Sequence, residues 1–154
     1  MLLATACLLF TSFGCAKKDD PAAPTTGTGS YKLDNTTINC QARALTSSAS
    51  SGGLAYDYLQ VALTTTPQPA SGAETLKLYF VKQSGQPTNA YALTDISLET
   101  KGSTYAFAND VTTLTSPGSG VFSGTFSATA STFGGTASGP YRTITAGVFT
   151  NAQP

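Results

Sequence analysis

The chain has 154 residues, with eight basic side chains, eight acidic ones and no histidine. Without histidine no Ser-His-Asp or Cys-His device can be built, and the commonest zinc ligand is missing. The charges of residues 31–154 balance and form no block, so the chain lacks the basic patch by which DNA or RNA is held, and no nucleic-acid partner is expected.

The first element is a short apolar run, LLATACLLF, from Leu2 to Phe10. A helix needs about 20 apolar residues to cross a bilayer. A run this short fits the apolar core of a secretory signal peptide, about 7–15 residues long. Residues 1–14 are therefore expected to be a signal peptide. Residues 15–30, beginning with Cys15 and continuing AKKDDPAAPTTGTGS, are expected to be a flexible linker. They contain no large apolar side chain and cannot offset their own ordering entropy.

Ser12-Phe13-Gly14-Cys15 resembles the lipobox of bacterial lipoproteins, where a small residue precedes the cysteine that becomes acylated. The resemblance implies a lipidated (palmitate-type) Cys15 and a membrane partner reached through that anchor. Acyl chains contribute about 0.8 kcal/mol per buried CH₂ and hold a protein on a membrane without a spanning helix. The following Lys17, Lys18, Asp19 and Asp20 resemble the export signal of Bacteroidetes lipoproteins. That likeness implies an outer-membrane protein exposed on the cell surface.

Residues 31–154 make one domain, with Thr, Val, Ile, Tyr and Phe suited to a pleated, half-buried surface. Tyr31-Lys32-Leu33 and Thr36 to Ala42 flank the turn pair Asp34-Asn35 and predict a hairpin. A short helical composition lies around Gln41 to Ser48. Leu54 to Thr65 predicts a long strand, with Tyr56 and Tyr58 on one face and Leu59, Val61 and Leu63 on the other. After the Pro67–Gly72 breaker, Glu74 to Lys82 alternates Leu76, Leu78 and Phe80 against Lys77 and Tyr79. Gly85-Gln86-Pro87 predicts a turn. Short strands are expected over Ala92–Glu99, Ser103–Ala108 and Val111–Ser116.

Val121 to Ala130 and Arg142 to Thr150 then predict a closing pair around a Gly-rich loop. On the first, Phe122, Phe126 and Ala128 share a face. On the second, Ile144, Ala146 and Val148 share one, with Thr143, Thr145, Gly147 and Phe149 opposite. Gly124 and Gly147 are expected at bulges or beneath a neighbouring ring. The fold class is all-β, an antiparallel β-sandwich of eight or nine strands, with a calycin-like β-barrel as the alternative.

Gly124, Thr125, Phe126 and Ser127, followed by Ile144, Thr145, Gly147 and Phe149, also resemble the C-terminal hairpin of small Bacteroidetes lipoproteins of unknown function. An opening YKLDN hairpin is shared with them. The resemblance implies an all-β extracytoplasmic domain and no assigned activity.

Candidate chemistry is sparse. Cys40 lies in an apparent strand, without a disulfide partner in the domain, and reads as a small buried hydrophobe. Glycine pairs such as Gly52-Gly53 and Gly134-Gly135 sit between strands, where turns need them. Asp57, between two tyrosines, reads as the solvent face of its strand, and Asp110 as the end of one. Paired carboxylates are the one catalytic route left open. Tyr56, Tyr58, Tyr79, Tyr91, Tyr105 and Tyr141 read either as caps on the core edges or as a face for sugar rings or a protein. The expectation is a non-enzymatic, tethered β-domain with a binding or structural role, no cofactor, no metal and no catalytic residue. The alternative is a carboxylate-dependent hydrolase acting on extracellular glycans.

Overall fold

The computed structural model describes residues 26–68, 72–118, 120–130 and 142–154. The expected signal peptide, Cys15, the Lys17–Asp20 cluster, Tyr141 and Gly134-Gly135 lie outside those residues. Eight strands follow one another: β1 (Gly27–Leu33), β2 (Thr36–Ser51), β3 (Leu54–Thr65), β4 (Thr75–Gln83), β5 (Ala92–Thr100), β6 (Ser103–Gly118), β7 (Val121–Ala130) and β8 (Thr143–Ala152). A turn of 3-10 helix, Thr88–Ala90, precedes β5. Each strand pairs antiparallel with the next, and β8 returns to β1, so the sheet closes on itself.

The all-β antiparallel expectation holds, and its closure is the barrel, not the sandwich. Alternation along a strand reveals which face is buried but not whether the first and last strands meet. Here they do meet, from Thr28 opposite Thr150 to Leu33 opposite Ile144. The Asp34-Asn35 turn helps to fasten this seam. Both residues have positive φ, 49° and 67°, as a two-residue hairpin loop requires. The carboxylate of Asp34 then accepts the Thr143 backbone N–H at 2.9 Å and Arg142 Nε at 2.9 Å.

Four expectations about elements change. β1 begins at Gly27, inside the stretch whose composition reads as linker, because its backbone pairs on both sides with β2 and β8. Gln41 to Ser48 is strand, since β2 runs unbroken to Ser51 against β3. The two strands expected over Ser103–Ala108 and Val111–Ser116 are one, β6, and Asp110 is a bulge residue in it. Asn109 opposes Ala128 and Val111 opposes Ser127, leaving Asp110 the extra residue between them. On β8 the expected faces fail after Ile144. Ala146 takes a φ of +49°, the register shifts there, and Gly147 and Phe149 turn inward while Val148 turns out.

The interior is filled by side chains from all eight strands. Leu59, Val61 and Leu63 of β3 meet Leu76, Leu78 and Phe80 of β4, while β2 contributes the smaller Cys40, Ala42 and Ala44, with Ile38 partly buried against them. Opposite them stand the bulky rings of Tyr31, Phe126 and Phe149. Glycines make room for two of these rings. A Cβ on Gly147 would lie 2.6 Å from the Phe126 ring, and one on Gly124 would lie 2.7 Å from the Phe149 ring. Since Gly124 is paired with Phe149 and Phe126 with Gly147, each ring covers the glycine facing it, as expected.

Outside, Thr37, Asn39, Gln41 and Arg43 on β2 and Thr125, Thr129, Thr143 and Thr145 on β7 and β8 are exposed. An apolar interior with a polar exterior inverts the arrangement of a membrane-spanning barrel, whose apolar band faces lipid. Among the described residues, no helix is long and apolar enough to cross a membrane.

Candidate functional site

β3 alternates without a bulge from Leu54 to Thr65, so the inward phase of Leu59, Val61 and Leu63 sends Tyr56, Tyr58 and Gln60 outward. β4 does the same with Tyr79 and Val81. The register then lines these side chains up. Leu45 stands opposite Gln60, Gln60 opposite Tyr79 and Tyr79 opposite Asp95; beside that row Ser47 stands opposite Tyr58. The ladder shifts between Tyr79 and Phe80, which leaves Thr94 unpaired in register on β5. Its hydroxyl donates to the Tyr79 carbonyl oxygen at 3.1 Å.

A groove of about 680 Å³ runs over this outer wall, lined by Leu45, Ser47, Tyr58, Gln60, Tyr79, Thr94 and Asp95 among others. Leu45 is 55% exposed and Tyr58 40%. Two phenol rings and an aliphatic side chain give flat apolar area. An amide, a carboxylate and hydroxyls beside them give donors and acceptors. Such a surface suits a ligand with both an apolar face and a rim of hydroxyls.

The tyrosines therefore divide between two positions in the barrel. Tyr91 and Tyr105 pack against the edge of the core, and Tyr31 is inside it. Tyr56, Tyr58 and Tyr79 lie on the outer wall. Leu45, Gln60, Thr94 and Asp95 were not legible as site residues. An exposed leucine in a strand is a weak signal, and the bulge that places Thr94 has no mark in the sequence.

Asp57 does not stand on the outer face. It has the parity of Leu59 and points toward the barrel axis at one mouth, where it faces Ser48 on β2 and Lys82 on β4. Oδ2 accepts Lys82 Nζ at 2.6 Å, while Oδ1 accepts Ser84 Oγ at 2.7 Å and Ser48 Oγ at 2.9 Å. These hydrogen bonds, Lys82 first, hold the carboxyl down at about 2. The Lys82 side chain is only 10% exposed, and its ammonium lies 5.3 Å from the centre of the Tyr91 ring. Tyr91 in turn meets Phe122 edge-on at 6.4 Å. At this mouth a polar lock is thus backed by two rings. Lys82 could have been found from sequence, because it is in phase with Leu76, Leu78 and Phe80.

The remaining candidates are structural in their surroundings. Cys40 is buried as expected, and burial pushes its thiol up to about 12. The Asp110 carboxylate accepts the Thr129 hydroxyl at 3.2 Å on the exposed flank of its bulge. Among the described residues, no three Cys, Asp or Glu side chains are gathered so as to hold a metal ion. Compared with family models, with curated proteins and with solved structures, the chain matches none.

Proposed function

We propose that this chain is a lipoprotein domain, tethered through acylated Cys15 to the outer membrane and exposed at the cell surface. It binds a neutral glycan on its outer wall and has no catalytic role. The observation that carries the reading is the groove bearing Tyr58 and Tyr79 on a barrel whose interior is already filled. An eight-stranded barrel is just wide enough either to pack its centre with side chains or to hold one small ligand. With the first solution adopted, a ligand is left the outside, and there the aromatic rings stand beside Gln60 and Asp95. Stacking on phenol faces with hydrogen bonds at the rim is the chemistry by which sugar rings are held.

The state of Asp57 removes it from the general-acid role that glycan hydrolysis would need. A general acid must carry a proton at working pH. With a carboxyl held at about 2 and both oxygens engaged, Asp57 is ionised and occupied. Electrophoresis through gels cast with neutral polysaccharides (xylan, mannan, β-glucan) tests the reading. At least one polymer should retard the protein, and Tyr58→Thr with Tyr79→Thr should abolish the retardation. Release of reducing sugar from a polymer by the parent, lost in Asp57→Asn, would replace this reading with the hydrolase.

A further inference from the structure

We infer that one end of the barrel, led by the crest of the β2–β3 hairpin, rests against the lipid surface. This rests on the tether proposed above and adds an orientation and a contact that the tether alone does not require.

Three observations converge on that end. The first is where the chain enters. β1 starts at Gly27 opposite Ala42, and β2 continues past that point to Ser51 before turning back. The hairpin crest therefore projects beyond the place where the N-terminal segment joins the barrel. Eleven residues separate Cys15 from Gly27. They span at most about 40 Å when extended and roughly 20 Å as a coil, so this end is held near the anchor.

The second observation is charge. A meander alternates its connections between two ends, and those at the tethered end are Gly52-Gly53, Ser84–Tyr91 and the β6–β7 turn with Gly120. None of them carries a charged residue, and neither does the hairpin from Ala44 to Tyr56. The nearest ions, Asp57 and Lys82, neutralise each other in the mouth at 2.6 Å. The far end differs: Asp34 in the β1–β2 turn pairs with Arg142 just before β8, but Glu74 just before β4 and the exposed Lys101 in the β5–β6 turn add charges there. Bringing an unpaired charge out of water is costly, whereas an uncharged end approaches a headgroup layer without that penalty.

The third is the crest itself. Leu54 is 48% exposed at its apex, and Tyr56 follows on the outer face. Tyrosine, with an apolar body and a polar tip, suits the boundary between acyl chains and water. One leucine and one tyrosine are a weak contact in solution. For a tethered domain the lipid is present at an effective concentration of order millimolar, and weak contacts then set orientation.

The test uses the full acylated protein in phosphatidylcholine vesicles, with a nitrobenzoxadiazole label on Leu54→Cys or, at the far end, on Lys101→Cys. Buried Cys40 stays unlabelled under native conditions. Lipids carrying a doxyl quencher should cause a large loss of fluorescence at position 54 and none at position 101. A second crest label, on Ser50→Cys, should behave like the first. Protein that floats with the vesicles while both ends are quenched equally, or neither is, overturns the orientation and leaves the tether standing. Protein that fails to float with vesicles overturns the tether and this inference with it.

Discussion

The two halves of the barrel wall are built differently. Along β2–β3 the register runs from Cys40 opposite Thr65 to Ser51 opposite Leu54 without a shift, and β3–β4 is equally regular. Across β6–β7–β8–β1 it shifts repeatedly, at Asp110, before Gly118, on both sides of Phe126 and beside Tyr31. The regular half packs leucines and valines inside and shows tyrosines outside. The irregular half packs phenylalanine rings on glycines inside and shows mostly threonine and serine outside. Bulges and glycines bend strands, and a closed sheet must bend somewhere. Register shifts are concentrated around β6, β7, β8 and β1, whereas β2–β3–β4 pair without one and β4–β5 shifts once, at Thr94, so a row of outward side chains is aligned there. One half closes the fold and the other presents a surface.

That division is open to attack, first through its largest effect. Phe126 packs against Tyr31 and Phe149 and covers Gly147. Phe126→Ala should cost about 3–5 kcal/mol, much of the roughly 5–15 kcal/mol a domain of this kind holds. Chemical denaturation should find the variant unfolded or close to it. A midpoint equal to the parent's would mean that the closing half is not where stability resides.

Next comes the reverse error, a group too many. Gly147→Ala places a methyl 2.6 Å from the Phe126 ring, and overpacking of this kind typically costs about 1–3 kcal/mol. Gly52→Ala is the comparison: its φ is +59° but no atom lies within 4 Å of the new methyl. It should cost only the roughly 1–2 kcal/mol of a left-handed backbone. Thermal melts that rank Gly52→Ala as the more damaging would contradict the ring-on-glycine account.

In the regular half the sharpest test is acid. The folded carboxyl of Asp57 lies at about 2, below its ordinary 3.8, because Lys82, Ser84 and Ser48 bind its charged form. A depressed carboxyl stabilises the fold above its unfolded value, and the benefit is lost as pH falls from about 4 toward 2. Asp34, lowered by the Thr143 N–H and Arg142, adds to the same acid loss from the seam. Asp57→Asn should therefore be less stable than the parent at pH 7, with the gap shrinking between pH 4 and pH 2. A gap independent of pH in that window would show that the lock does not act through charge.

The smallest effect on stability is expected at the groove. Tyr58→Thr and Tyr79→Thr keep a strand-forming residue and remove an outward ring, so each should cost less than about 1 kcal/mol in cross-strand contact. Retention by polysaccharide should nevertheless disappear. A pair of variants that unfolds would place these rings in the structure's support and not in its display.

Much of this was legible in the chain. The limits of β3 and β7, the Asp34-Asn35 hairpin and the alternation of Leu76, Leu78 and Phe80 follow from side-chain period and turn chemistry. So do the burial of Cys40 and the rings over Gly124 and Gly147. Three features had no local signature. Closure depends on β1 meeting β8 across more than a hundred residues. The bulges at Asp110 and Ala146 arise from how neighbouring strands count against each other, and each one reverses the faces of the side chains that follow it up to the next shift. The groove depends on the alignment of four strands, so its tyrosines could be named from sequence while Leu45, Thr94 and Asp95 could not. Asp57 was misplaced for another reason. Its charge suggests solvent, its parity points inward, and Lys82 in the same phase on the next strand resolves the conflict.

The division of labour can be measured in one experiment, a titration of backbone amide chemical shifts with an oligosaccharide cut from whichever polymer retards the protein. The account predicts shifts clustered at Leu45, Tyr58, Gln60, Tyr79, Thr94 and Asp95, with Phe107, Phe126, Ile144 and Phe149 unmoved. Shifts centred on those interior residues, or on the threonine-rich outer face of β7 and β8, would contradict it.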